Sequence, residues 1–371
     1  MNSNRNAPDF LLLILTIILV GFGVVMVYSA SFTISYWEYN DKWHITSSQI
    51  IYAIIGLVLM FIAMSFRVAF YKKYFLVFLV LSLILLILVF IPGVGVVLND
   101  ARSWIGIKLG GRTLTIQPVE FAKIGLLLYL SVLLTKTPDK IRDFKTGVIP
   151  SLIVILIFFG LIVAQPDFGS AMILVFAAGV LLIAAGARWL HILGLLLAGA
   201  LSLVALLFAT GRTERFISFL DPWADPYNEG YHLIQSLIAF GNGGLFGAGF
   251  GQSIQKFFYL PYPHSDFIFA VIGEELGFIG IAIFLLVFIL FIWRIITIGR
   301  RSSDPFATLF ATSIAALFAI QAAINIGGVT GAIPITGVTL PFISAGGTSL
   351  ISGMISVGII LSISRENNEN K

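Results

Sequence analysis

The run Ser253-Ile-Gln-Lys-Phe-Phe-Tyr-Leu-Pro-Tyr-Pro-His264-Ser-Asp266-Phe-Ile-Phe-Ala sets a histidine and a carboxylate at the threshold of a long apolar segment. Pro261 and Pro263 stiffen the approach. An ionisable side chain where water meets lipid is costly to keep, so it calls for a reason. As an acid at the start of a helix, Asp266 can act as a cap or gain from the helix dipole. An ionised carboxylate there equally suits a general base or a ligand for a divalent cation. His264 either tunes that acid or sits at a polar rim.

Other polar residues present similar choices. Glu120 and Lys123 are three apart in an apolar run and share a helix face. They either neutralise each other at depth or face a wet cavity in the bundle. Glu274 and Glu275 lie about two turns beyond Asp266, with Glu274 offset from it by roughly 80° and Glu275 nearly opposite to Asp266 on the wheel. One of them fits a buried hydrogen-bond network. Arg102, Lys108 and Arg112 flank Trp104, while Arg212 and Arg215 open a second polar stretch that also holds Lys256. These cations are either solvated or placed to grip a phosphate group, for which arginine offers a planar fork. Asp167, in Gln165-Pro-Asp167, reads as a helix N-cap, and Gln321 and Asn325 as bonds to neighbouring helices.

The elements that must position these groups follow from composition. The chain is 58% hydrophobic and 11% charged, against about 25% charged for a soluble domain. This reads as an all-α polytopic membrane protein, because hydrocarbon offers no partner to free backbone groups. At about 20 apolar residues per crossing, about ten spans emerge: 9–31, 47–66, 73–92, 116–135, 146–164, 168–186, 189–209, 266–293, 305–330 and 341–363. Residues 1–371 read as one membrane domain with two substantial loops, 93–115 and 210–265, the larger between helices 7 and 8. The chain has no cysteine, which excludes disulfides and thiol chemistry. The Gly-rich run 241–251 lacks the Gly-Lys-Ser/Thr ending of a phosphate loop, so no nucleotide is expected.

The net charge of +4 does not imply nucleic-acid binding, since basic residues of membrane proteins gather in cytoplasmic loops. With Lys123 inside a span, 14 of the 22 Lys and Arg residues fall in one set of loops and 7 in the other. The richer set should be cytoplasmic, with both termini, leaving the 93–115 and 210–265 loops and Asp266 outside.

Several tracts together resemble the SEDS family of shape, elongation, division and sporulation proteins, to which FtsW, RodA and SpoVE belong. They are Gln255-Lys-Phe-Phe-Tyr-Leu-Pro, His264-Ser-Asp266-Phe-Ile-Phe-Ala, Gly273-Glu-Glu-Leu-Gly277 and Pro334-Ile-Thr-Gly-Val-Thr-Leu-Pro-Phe-Ile-Ser344-Ala-Gly-Gly-Thr-Ser349. Ser103-Trp104-Ile, Gln117-Pro-Val-Glu120-Phe-Ala-Lys123, Gln165-Pro-Asp167 and Asp221-Pro-Trp223 agree, in family order across essentially the whole chain. Tyr262 departs from many FtsW-like members without touching the acid.

The resemblance implies a peptidoglycan glycosyltransferase of the bacterial plasma membrane that polymerises lipid II on the outer face. It implies a class B penicillin-binding protein as partner, with other divisome or elongasome membrane proteins. The family's essential acid maps onto Asp266, and the acid and base of its fourth helix onto Glu120 and Lys123. In that reading Asp266 accepts a proton from the attacking sugar hydroxyl or holds Mg²⁺ or Mn²⁺. Glu120, Lys123, Arg102, Trp104, Arg212, Arg215, His264 and Lys256 then form the substrate-binding set. The alternative is a lipid II flippase.

Overall fold

The computed structural model describes residues 7–98, 101–109, 112–194, 197, 199, 219–228 and 230–369. Asp9 opens the bundle as an N-cap, its carboxylate accepting from Leu12 N, and α1 runs from Phe10 to Tyr39. The next helices are α2 (His44–Ser65), a short α3 (Val68–Lys73), α4 (Phe75–Leu88), α5 (Pro118–Lys136), α6 (Ile149–Val163) and α7 (Phe168–Ala184). After them come α8 (Tyr231–Gly243), α9 (Ile268–Arg300), α10 (Pro305–Val329) and α11 (Gly347–Glu369).

Seven helical segments among the described residues are long and apolar enough to cross a membrane, and α4 and α7 are shorter apolar helices. Together these nine match nine of the expected spans. The remaining one, 189–209, lies mostly outside the described residues. The last helix starts later than expected, because 341–346 form turns that the apolar run had concealed. The loop 93–115 also departs from a purely helical reading. It folds into an antiparallel sheet of β1 (Gly95–Leu98), β2 (Ala101–Leu109) and β3 (Arg112–Ile116) in the order β1-β2-β3. Backbone pairing inside that sheet satisfies groups that a bare loop would leave to water.

Helix α5 is the hub, contacting α4, α7, α10 and α11. Its apolar residues do not form a stripe; most are buried, which puts the Glu120 face in the interior as well. Helices α2 and α11 approach closely through small residues, with Gly56 against the Met354 side chain and Gly358 against the Met60 backbone. The two ends of the chain meet at one end of the bundle. Asp9 pairs with Arg294, its amide donates to Ser364 Oγ, and Asn367 Nδ2 donates to Ile298 O.

The described part of the 210–265 loop is an ordered cap, as expected from its composition. Helix α8 packs on α9, and the Gly-rich run that follows joins α9 through its backbone. Helix α9 is interrupted at Gly277, with φ 65° and ψ −170°. The freed groups are taken up by the loop: Ala248 N donates to Glu274 O, Gly249 N to Glu275 O, and Phe278 N to Gly244 O. A Cβ at Gly277 would collide with Gly247 N, and only glycine adopts that backbone conformation readily. Gly277→Ala is expected to destabilise the protein by about 2–5 kcal/mol, from strain plus overpacking. A lower denaturant midpoint for the detergent-purified variant checks this; an unchanged midpoint refutes it.

Candidate functional site

The site begins at the N-terminal end of α5. Pro118 occupies the first turn, where its missing N–H costs nothing, and Glu120 sits in that same turn, where the helix dipole favours an acid. Lys123 Nζ lies 2.8 Å from Glu120 Oε1 and 3.3 Å from Gln321 Oε1 on α10. Ser352 Oγ on α11 donates to Glu120 Oε2 at 3.2 Å. Both charges are buried, and the adjoining cavity of about 10 Å³ is no larger than one water needs. Of the two readings open for this pair, the structure favours mutual neutralisation inside a network tying three helices.

Gln321 continues that network by donating to Thr339 O at 3.0 Å, in the extended segment between α10 and α11. This segment also holds the backbone around Asp266. Asn325 Nδ2 donates to both Asp266 O at 2.8 Å and Val338 O at 2.7 Å. Ser344 Oγ donates to Ser265 O at 2.7 Å, and Ala345 N to His264 O at 2.8 Å. Gly337, at φ 69°, presents no side chain to Asp266 Oδ2. A Cβ there would lie 3.6 Å from that oxygen.

Asp266 is half-buried, and its carboxylate accepts from Ser265 Oγ at 3.0 Å. It is not a helix cap: α9 starts at Ile268, with Phe267 in the cap position and no side-chain cap bond. Burial raises its pKa above the usual carboxylate value, and the nearby Asp167 charge raises it further, with the Ser265 bond opposing both. Asp167 caps α7 as expected, accepting from Ser170 N at 3.0 Å. It also receives Gln117 Nε2 at 3.1 Å, and burial raises its pKa against the pull of Ser170 and Lys123. Asp167 thus belongs beside Asp266, which its reading as a cap alone had missed. The signal was the match of Gln165-Pro-Asp167 to a tight turn facing the same side as Asp266.

The remaining candidates scatter. His264 is partly buried; burial lowers its pKa to about 4, so it is neutral near pH 7, and Nδ1 meets no partner among the described residues. Arg102 and Trp104 are two apart on β2 and therefore on one face, partly exposed. The sheet is moored beside α5 and α11, where Thr348 Oγ1 accepts from Gln117 N and donates to Thr115 O. Arg212 and Arg215 lie outside the described residues.

Lys256 requires a correction. Expected to meet substrate, it is fully buried. Its ammonium bonds Glu275 Oε1 at 2.7 Å, Gly251 O at 2.8 Å and Ser29 Oγ at 3.1 Å, which uses its three donors. Ser29 Oγ also bonds Glu275, and the Phe32 ring faces the ammonium at 5.1 Å. Glu274 is buried too: it accepts from Ser253 Oγ, Asn242 Nδ2, Ile254 N and Gln255 N. Both glutamates therefore anchor the 243–256 loop to α9, rather than one of them alone.

Fold and site together define a polytopic membrane protein whose helices, with the extended segment between α10 and α11, hold a group of carboxylates at one end of the bundle. Residues 10–369 match the family of FtsW, RodA and SpoVE, described as cell cycle protein, and the chain belongs to that family. It is 42% identical to stage V sporulation protein E of Bacillus subtilis (strain 168) over 366 residues, 98% of this chain and 99% of that one. It is 39% identical to the probable peptidoglycan glycosyltransferase FtsW of Geobacter sp. (strain M18) over 357 residues, 96% of each chain. Among solved structures, a chain from a peptidoglycan synthase complex that coordinates polymerisation and crosslinking superposes with TM-score 0.80 at 29% identity, covering 97% of this chain and 98% of that one. Thermus thermophilus rod shape determining protein RodA superposes at TM-score 0.71 and 28% identity, covering 98% and 99%.

Proposed function

We infer that this chain is a peptidoglycan glycosyltransferase that joins lipid II units into glycan strands at the outer face of the bacterial plasma membrane. The observation that carries the reading is Asp266: a carboxyl with a raised pKa, its backbone clamped from two sides, at the membrane end opposite the chain termini. A carboxylate whose pKa is raised is a stronger base, and so a better proton acceptor once ionised. The acceptor sugar hydroxyl gives its proton to Asp266 as its oxygen attacks the anomeric carbon of the donor. The bond from that carbon to the pyrophosphate oxygen breaks, and the lipid pyrophosphate leaves. Arg102 on the sheet, with Arg212 and Arg215, is assigned to meet the growing negative charge. The sealed Glu120–Lys123 pair, with no more than a water-sized cavity beside it, supports catalysis over transport of lipid II.

Among the described residues no group of three or more His, Cys, Asp or Glu side chains could hold a metal ion. Two neighbouring carboxylates still suit Mg²⁺ or Mn²⁺, which binds through one or two acids plus substrate phosphates. Asn325 Oδ1, a buried acceptor with no partner among the described residues, adds an oxygen close by. Asp266 and Asp167 would then hold the ion, which would neutralise pyrophosphate charge. The partner is assigned as a class B penicillin-binding protein, in keeping with the synthase complex of the structural relative. Both termini are assigned to the cytoplasm, because they share the Lys- and Arg-rich end.

Purified chain and partner, given fluorescent lipid II, should yield a ladder of glycan lengths on a gel; no ladder from the active partner mixture would sink the reading. Chelation followed by Mg²⁺ or Mn²⁺ tests the ion. The acid pair also sets pH dependence. A raised Asp266 pKa places the acidic limb of the rate profile above the ordinary aspartate value of 3.8. Asp167→Asn removes a raising charge while keeping a cap, so that limb should move to lower pH. An unmoved limb would separate Asp167 from the titration of Asp266.

A further inference from the structure

At the other end of the bundle an open cavity of about 520 Å³ lies between α3, α5, the start of α10 and the end of α11. That volume is within the range of small-molecule sites, about 300–1,000 Å³. Lys72, Lys73 and Lys136 line it, with the carboxylates of Asp304 and Glu366. Helix α5 runs 19 residues from the carboxylate site to Lys136, or about 28 Å, close to one hydrocarbon thickness. The cavity therefore sits at the opposite membrane–water boundary.

The charges in it are unequally engaged. Asp304 pairs with Lys72 at 2.9 Å and also accepts from Phe306 N as the cap of α10. Glu366 accepts from Val68 N at 2.8 Å. Lys73 and Lys136 form no ion pair among the described residues. Their ammonium groups lie over rings, Lys73 over Tyr74 at 5.3 Å and Lys136 over Phe75 at 4.6 Å. A loop lysine that merely obeys the charge bias of membrane topology needs no concavity around it. Here two ammonium groups share a hollow whose acids are already committed. Beyond Phe75, the exposed Leu76, Val77 and Val80 give α4 a lipid-facing apolar surface beside it.

We propose that this cavity binds the phosphate headgroup of an anionic phospholipid, through Lys73 and Lys136, with the acyl chains along α4. Basic pockets between membrane helices recognise such headgroups, and each lysine near the membrane surface contributes roughly fivefold in affinity. The site is separate from the carboxylate centre and does not depend on the activity assigned there.

Native mass spectrometry of the detergent-purified full chain, titrated with phosphatidylglycerol, phosphatidylcholine or inorganic phosphate, tests it. Phosphatidylglycerol should bind more tightly than phosphatidylcholine, and inorganic phosphate only weakly. K73Q/K136Q should weaken phosphatidylglycerol binding about tenfold or more, with phosphatidylcholine unchanged, while K73R/K136R keeps the wild-type preference. Asp304→Asn keeps a cap but frees Lys72, and should tighten phosphatidylglycerol binding about fivefold, a gain that misfolding cannot produce. Equal binding of the two lipids, wild-type affinity in K73Q/K136Q, inorganic phosphate binding as tightly as the lipid, or no gain in Asp304→Asn would each overturn the assignment.

Discussion

Asp266→Asn is expected to abolish glycan polymerisation while the protein remains folded. General-base catalysis contributes about 10²–10⁴-fold, and asparagine cannot accept the proton, so a loss of at least that order is expected. The fold should not suffer, because the clamps act on main-chain atoms. Asn325 bonds Asp266 O, and Ser344 and Ala345 bond the carbonyls of Ser265 and His264, whatever side chain follows. Burial has also raised the folded pKa of this acid, so its charged form is disfavoured in the native state. Stability carried by such a group is present at low pH and lost as pH rises through the raised pKa. A neutral amide escapes that loss, and the variant should melt at or slightly above the wild-type temperature near pH 7. A gel of products from fluorescent lipid II and a thermal melt in the same detergent measure both halves. Wild-type glycan ladders from the variant would remove Asp266 from the chemistry.

Lys256→Met gives the second large effect, in stability rather than catalysis. The methionine leaves Glu275 buried with no cation beside it, and breaking a buried pair from one side costs about 3–5 kcal/mol. The bond from Ser29 Oγ remains, but a hydroxyl does not replace an ammonium. The loop 243–256 should then loosen from α9, and protease sites within it should become accessible. The double change Lys256→Met with Glu275→Leu removes both charges from an interior lined by Phe32, and should recover most of the lost stability. Denaturant midpoints of wild type, both single variants and the double variant form the test. A single variant as stable as wild type would show that the pair does not hold the loop.

The spans were legible because lipid imposes one rule: an apolar run must be helical, and its length must cover the hydrocarbon. Asp266 was legible for the converse reason, as a charge placed where lipid begins. Its support was not, because Asn325 is 59 residues from Asp266 and Ser344 is 79 from Ser265. Gln321 and Asn325 could be read as polar residues bonding across helices, but not as to which backbone. Lys256 misled for a related reason. It sits in a loop among aromatics and looks exposed, while its partner lies 19 residues on inside α9. The small sheet was overlooked although β2 carries its signal: Ile105, Ile107 and Leu109 alternate with Gly106 and Lys108 at the period of a strand. Asp167 was read correctly as a cap and incompletely as a neighbour of Asp266, since a local role is visible in sequence and a spatial one is not.

The clamp on Asp266 has a bearing on biosynthesis. A ribosome releases the acid well before Asn325, and Ser344 and Ala345 later still. Until those final segments have entered the bilayer, the Lys256–Glu275 pair ties the loop to α9, but the main chain at His264–Asp266 lacks the bonds that fix the acid. A partly made chain in the translocon is therefore idle, and sugar transfer switches on only with the arrival of the last hairpin.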